Sequence, residues 1–253
     1  MSAPLPEHIP TAVVTGGARG FGAQAVRALH KAGYRVIITD VNPGEEAKAL
    51  ATELDLAGDT AITATLDVSK PEDFQTVLDK CVDRYGSVEV LVNNAARTAV
   101  QNVLDIDPAF FNEVMATNAG GTFAGCQVFG RYFKAQGYGR LINMASLAGQ
   151  NGGTATGAHY AASKGAILTL TKIFARDLAP FGVTCNAIAP GPMDTPMVRD
   201  VLGDNIGNAI AGIPVKKLGD PDFVAKMVVM LAGPDAGFVN GACWDVNGGL
   251  YVR

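Results

Sequence analysis

The 253-residue sequence predicts a doubly wound α/β fold, a seven-stranded parallel sheet with helices on both faces. Three observations predict it. Short runs rich in Val, Ile and Leu recur along the chain, as strands covered on both sides require. Helix-length patterns alternate with them. The first run leads straight into a glycine-rich turn and a helix.

Taken in order, the first strand is Thr11–Thr15, followed by the turn and a helix over Gly22–Ala32 that Gly33 ends. Arg35–Thr39 is the second strand, and the Asn42-Pro43 break introduces a helix over Gly44–Leu56. Gly58-Asp59 precedes strand Ala61–Leu66 and helix Pro71–Tyr85. Strand Val88–Val92, helix Pro108–Gln136 and strand Arg140–Met144 follow, then helix Ala158–Ala179 and strand Val183–Ala189. Helix Pro221–Ala232 and strand Cys243–Val246 close the chain. No linker or repeat interrupts this alternation, so residues 1–253 read as one domain. The least regular part, about 190–220, is rich in Gly, Pro and Met and suits a mobile cover over a ligand.

Bulk properties exclude several roles. A net charge of −4 leaves no basic excess to neutralise nucleic-acid phosphates. No apolar run approaches the roughly 18 residues that span a bilayer. The opening MSAPLPEHIP lacks the charged and apolar regions of a secretory signal, so a cytoplasmic protein is expected. Cys81, Cys126, Cys185 and Cys243 are scattered and read as small buried residues. His8, His30 and His159 have no ligand spacing, so no metal is expected.

Two stretches carry chemistry. In Thr15-Gly16-Gly17-Ala18-Arg19-Gly20-Phe21-Gly22, glycines between strand and helix let backbone N–H groups and the helix N-terminus approach a pyrophosphate. Asp40, ending the second strand, can accept hydrogen bonds from ribose hydroxyls and would repel a 2′-phosphate, which favours NAD over NADP. Arg19 argues the other way, but direct repulsion in a partly desolvated site outweighs it. In HYAASKGA (159–166), Tyr160 and Lys164 stand at i and i+4 and share a helix face. The lysine charge is expected to lower the phenol pKa, so that Tyr160 exchanges a proton near neutral pH.

With these motifs in place, the whole chain resembles the short-chain dehydrogenases/reductases. The marks are TGGARGFG at 15–22, Asp67-Val68, Asn93-Asn94-Ala95-Ala96, Asn118, Ser146, Tyr160-Ala161-Ala162-Ser163-Lys164, and Pro190-Gly191 with Thr195. Ala96 stands where the family usually has Gly. The resemblance implies a Rossmann fold and a catalytic tetrad. Ser146 would hydrogen-bond the substrate oxygen and Tyr160 would give or take the proton. Lys164 would lower the tyrosine pKa and hold the nicotinamide ribose, and Asn118 would hold a water leading to Lys164. It also implies a cofactor cleft lined by Thr15, Gly16, Arg19, Gly20, Phe21, Gly22, Asp40, Val41, Asp67, Val68, Asn93, Asn94 and Ala95. Ile188, Pro190, Gly191, Met193 and Thr195 would stand around the nicotinamide.

The expected activity is hydride transfer between NAD(H) and a secondary alcohol or ketone. An NADPH-dependent 3-oxoacyl-carrier-protein reductase is the alternative, and a non-catalytic dinucleotide-binding protein a remote one. Small residues from Ala148 to Gly157 leave room for substrate. Met193, Met197, Val198, Val201, Leu202 and Ile206 could form an apolar cover, and Arg97, Arg199, Lys216 and Lys217 could attract an anion. His159 is expected to be structural or a wall residue. The long helices and the apolar run Cys243–Val252 resemble the segments through which family members pair, so a homotetramer or homodimer is expected.

Overall fold

The computed structural model describes residues 9–153, 156–195, 198–199 and 203–252. Its strands are β1 (Thr11–Thr15), β2 (Arg35–Asp40), β3 (Ala61–Thr65), β4 (Val90–Asn93), β5 (Gly139–Met144), β6 (Val183–Pro190) and β7 (Cys243–Val246). They form one sheet in the order β3-β2-β1-β4-β5-β6-β7, and every pairing is parallel. The strand order reverses between β1 and β4, where the crevice of a doubly wound sheet opens. The helices are α1 (Gly20–Lys31), α2 (Gly44–Leu54), α3 (Pro71–Tyr85), α4 (Pro108–Met115), α5 (Gly121–Gln136), α6 (Ala148–Asn151), α7 (Ala158–Leu178), α8 (Ile206–Gly212) and α9 (Pro221–Ala232).

Strand alternation sorts the core into two layers. Val14, Ile38, Val92 and Ile142 face α1 and α9, meeting Val26, Leu29, Val228 and Leu231. Val13, Ile37, Leu91 and Leu141 face the other side, meeting Phe74, Phe129, Phe133 and Leu178. Each such buried side chain contributes about 1.5–3 kcal/mol relative to exposure. The near-continuous apolar runs follow from this double covering.

The structure corrects several predicted boundaries. Helix α1 starts at Gly20, two residues early. The predicted strand Val88–Val92 is displaced to Val90–Asn93. The predicted helix Pro108–Gln136 is not uniform: it widens into a π turn over Ala116–Gly120, and Asn118 sits in that turn. Helix α2 stops at Leu54 rather than Leu56, because the Asp55 carboxylate gathers the N–H groups of Ala57, Asp59 and Thr60 into a competing turn.

These bonds, with one from the Thr60 hydroxyl, hold the Asp55 carboxyl down at about 2 against its ordinary 3.8. The depressed native value means that its stabilisation is complete above about pH 4 and is lost as pH falls through about 2. Asp55→Ala is expected to lower Tm at pH 7, with the gap to wild type closing below pH 4. A gap independent of pH between 7 and 3 would show that the charge of Asp55 contributes nothing.

Candidate active site

The glycine turn after β1 meets the end of β4 at the switch point. A Cβ on Gly16 would lie 2.9 Å from the Ala95 Cα, and one on Gly22 would strike the Gly16 carbonyl. Gly16 and Gly20 have φ of 61° and 56°, the left-handed region that glycine enters freely. Asn94 fixes the turn: its Nδ2 donates to the carbonyls of Thr15 and Gly16, both at 3.0 Å. The Thr15 Oγ1 accepts from the N–H groups of Asn94 and Ala95 at 2.9 and 3.1 Å. Thr15 itself is buried, so it braces β1 against β4 and does not face the cleft.

Helix α1 then begins with extended Arg19 at its N-cap, no side-chain cap and no acidic residue in its first turn. A helix N-terminus left uncapped in this way offers the donor set a pyrophosphate needs. Arg19 and Gly20 are exposed, and Phe21 is half-buried. Asp40 ends β2 half-buried, beside exposed Val41. At the end of β3, the Asp67 Oδ1 accepts from the Ser69 N–H and hydroxyl at 3.0 and 2.7 Å. These bonds hold the Asp67 carboxyl below its usual range. Val68 packs on Gly121. The residues present fit a dinucleotide laid across the carboxyl ends of β1, β2 and β3.

The second group gathers where β5 and β6 end. Leu147 N–H donates to the Pro190 carbonyl at 2.9 Å, so the Ser146 loop rides on the end of β6. The Ser146 hydroxyl is hydrogen-bonded to the Tyr160 phenol, and also accepts from Ala148 N–H at 3.1 Å. Lys164, one turn beyond Tyr160, is 3% exposed. Its Nζ donates to the Met144 carbonyl at 2.6 Å and lies 5.5 Å from the Tyr160 ring centroid.

The electrostatics differ from the sequence expectation. Burial raises the Tyr160 phenol above its ordinary value, and the Ser146 hydrogen bond only partly opposes this. Desolvation is the larger cause and decides the direction. Burial lowers the Lys164 ammonium to about 8.

Asn118 is committed within the protein. Its Oδ1 accepts Arg97 N–H at 2.7 Å, and its Nδ2 donates to the Arg97 carbonyl and the Ser163 Oγ, both at 2.9 Å. Both amide hydrogens are used, so its side chain clamps the loop after β4 onto α7. Asn93 is turned into the core, donating to Asn143 Oδ1 at 2.9 Å and not lining the cleft. Sequence reasoning missed Asn143 and treated Ser163 only as a small residue. The signal for Ser163 was its place inside the Tyr-x-x-x-Lys motif.

His159 is fully buried, packed against Phe110, and its Nδ1 accepts the Tyr160 N–H at 2.8 Å, a structural role. Met193 is buried in the core, and a Cβ on Gly191 would lie 2.9 Å from the Asn247 Cα. Thr195 Oγ1 accepts from Val198 N–H at 3.3 Å. Met197, Val201 and Leu202 lie outside the described residues. Arg97 pairs with Glu113 at 2.9 Å, and Arg199 with Asp194 at 2.6 and 2.7 Å. Cys81, Cys126 and Cys185 are buried, but Cys243 is partly exposed. Among the described residues no group of His, Cys, Asp or Glu is placed to hold a metal, and no helix is long and apolar enough to cross a membrane.

The family described as enoyl-(acyl carrier protein) reductase matches residues 16–251. The chain belongs to the short-chain dehydrogenases/reductases. This dehydrogenase/reductase is therefore an oxidoreductase of CH–OH and C=O groups that uses a nicotinamide dinucleotide. It is similar to a 3-oxoacyl-[acyl-carrier-protein] reductase of Vibrio cholerae, 34% identical over 95% of this chain and 97% of the relative. It is 38% identical to a 4-formylbenzenesulfonate dehydrogenase of Comamonas testosteroni, over 95% and 97% of the two chains. A crystal structure of a short chain dehydrogenase from Bacillus anthracis superposes with a TM-score of 0.86 at 28% identity, covering 96% of this chain and 97% of that one.

The buried Lys164 gives a test of the site's electrostatics. The unfolded chain keeps the lysine proton up to about 10.5, whereas the native state gives it up near 8. The unfolded state thus binds more protons between these values, and stability at this site rises with pH through that window. Below about 8 the net cost of burying the ammonium stands in full, on the order of 3 kcal/mol. The difference in unfolding free energy between Lys164→Met and wild type is expected to move in favour of wild type from pH 7 to 10. Urea unfolding at both pH values measures it, and an unchanged difference would show that the ammonium is not perturbed.

Proposed function

We propose that this dehydrogenase/reductase interconverts a secondary alcohol and its ketone with NAD(H), Tyr160 serving as proton donor and acceptor. The observation that carries the reading is the hydrogen-bonded Ser146–Tyr160 pair, with the Lys164 ammonium 5.5 Å from the same ring.

The bound nicotinamide supplies or accepts the hydride. Ser146 orients the substrate oxygen towards the phenol. Tyr160 holds its proton through burial, which suits donation to a ketone oxygen as negative charge develops there. Lys164 keeps two ammonium donors beyond the one given to Met144, available to a ribose hydroxyl and to the phenolate formed after proton transfer. Asn118, in the π turn, positions α7 through Ser163. The N-terminus of α1, with Gly20, Phe21 and Gly22, meets the pyrophosphate, and Asp67 and Val68 border the adenine. Residues 190–220 cover the substrate, with Pro190, Gly191 and Thr195 beside the nicotinamide. Exposed Phe123 on α5 and Ile173 on α7 suit contact with a second copy.

NAD is the expected coenzyme, because Asp40 ends β2 half-buried, where its carboxylate can accept from the ribose hydroxyls. A 2′-phosphate placed there meets like charge. The likeness to a 3-oxoacyl-[acyl-carrier-protein] reductase favours a second reading, a 3-oxoacyl thioester as the ketone and NADPH as donor, in which exposed Arg19 takes the 2′-phosphate.

Side-by-side calorimetric titration with NADH and NADPH separates the two, with NADH expected to bind at least tenfold tighter. Asp40→Ala is expected to shrink that ratio, and an unchanged ratio would reject repulsion as the selector. Tyr160→Phe removes the transferable proton and is expected to lower kcat by two to four orders of magnitude with NADH affinity retained. Turnover near wild type in that variant would remove Tyr160 from the proton step.

A further inference from the structure

Among the described residues, Lys216 is the one non-glycine residue with positive φ, at 56°. An L-residue meets a steric penalty there, and glycine or asparagine is the ordinary occupant. The turn that contains it is tight, closed by Lys216 N–H donating to the Ile213 carbonyl at 2.9 Å. The side chain shows what the strained position achieves. Lys216 Nζ donates to the Ala211 carbonyl at 2.6 Å, in the last turn of α8. A cation at a helix C-terminus satisfies an orphan carbonyl and meets the negative pole of the helix. Neither glycine nor asparagine could carry an ammonium to that carbonyl.

Helix α8 depends on such ties. It has seven residues and buries none of them, and a helix this short is marginal alone. Its exit is also closed by Ile213 N–H donating to the Ile210 carbonyl at 3.0 Å. The strip that follows is firmly seated. Val215 N–H donates to the Gly248 carbonyl at 3.2 Å, and Gly219 exchanges bonds with the chain after β6, donating to the Pro192 carbonyl at 3.0 Å and accepting from Asp194 N–H at 2.9 Å. Side chains of Ile213 and Val215 lie 2.7 and 2.8 Å from where a Cβ of Gly248 would stand. The helix, with no fully buried residue, is therefore tied at its exit by the Lys216 ammonium and the Ile213 N–H to a strip bonded to the segment that leads to Thr195.

We infer that Lys216 is a positioning residue for the substrate: its ammonium latches α8 to the strip 213–219, holds that helix at the mouth of the cleft, and so sets affinity for the ketone. The inference rests on the reading of residues 190–220 as the substrate cover. The strained backbone is what aims the ammonium at α8.

Two measurements on the full-length protein test it. Millisecond-resolved hydrogen exchange is read over residues 206–212 in wild type, Lys216→Met, Lys216→Gly and Lys216→Arg. Steady-state kinetics use ethyl acetoacetate as the probe ketone with NADH. Lys216→Met keeps the stem and the strain but loses the charge. It is expected to speed exchange in 206–212 about tenfold, with the sheet unchanged, and to raise KM for the ketone several-fold with KM for NADH unchanged. Lys216→Gly removes strain and charge together and is expected to loosen α8 equally, whereas Lys216→Arg restores both values. Unchanged exchange in Lys216→Met overturns the latch. Faster exchange with an unchanged ketone KM overturns the positioning role. Wild-type protein that binds NADH but reduces no ketone instead counts against the hydride-transfer reading, and the exchange result still decides the latch.

Discussion

A lysine ammonium buried beside a tyrosine is the constraint on which the rest of the site depends. Lys164 can stay charged in the interior only because the Met144 carbonyl, at the end of β5, accepts from it at 2.6 Å. That bond requires α7 to sit at one height against the sheet, and the inner face of α7 is built to hold it there. Ser163 donates its hydroxyl to the Tyr160 carbonyl and accepts from Asn118. Thr171 accepts from Asn143, which rises from β5 next to Met144. Apolar packing of Ile167 and Ala175 fills the spaces between. The polar contacts fix the register that apolar packing alone would leave free to slide.

The same bonds reach the coenzyme side. Asn143 accepts from Asn93, the last residue of β4. Its neighbour Asn94 locks the glycine turn after β1. Asn118 grips the Arg97 backbone on both sides, a few residues further along the same loop. Tyr160 with Lys164 and the glycine turn are thus parts of one hydrogen-bonded frame across the carboxyl ends of β1, β4 and β5. The π turn in the helix that carries Asn118 fits this frame, since such widened turns recur where a helix must present a side chain at a functional site.

Most of the fold was legible because strand burial on both faces writes itself as unbroken Val-Ile-Leu runs, as in Val90–Val92 and Val36–Ile38. The glycine turn was legible because its function constrains backbone rather than side chain. Tyr160 and Lys164 were legible by helix spacing and by family resemblance. What escaped was the environment of each polar group. Asn93 and Asn94 are identical in type and adjacent, yet the strand pleat sends one into the core and the other to the turn. Lys164 was expected to act on the phenol, and only the tertiary arrangement reveals that its ammonium donates to a carbonyl 20 residues upstream. The π turn was hidden because a run of 29 helix-compatible residues carries no mark where the hydrogen-bond ladder widens.

The charge arrangement around the cleft bears on what the site selects. Arg97 is matched by Glu113 and lies over the Phe110 ring. Arg199 is matched by both oxygens of Asp194. Lys216 is turned back on Ala211. Three of the four cations that sequence reading offered to an anionic substrate are therefore already engaged, and recruiting any of them would mean breaking an existing bond. In the proposed reading the Lys164 ammonium and the N-terminal end of α1 serve the coenzyme and the proton step, with exposed Arg19 beside the glycine turn. Discrimination among carbonyl compounds then falls to shape, to the small residues beside Ser146 and to the placement of α8, and less to electrostatic attraction.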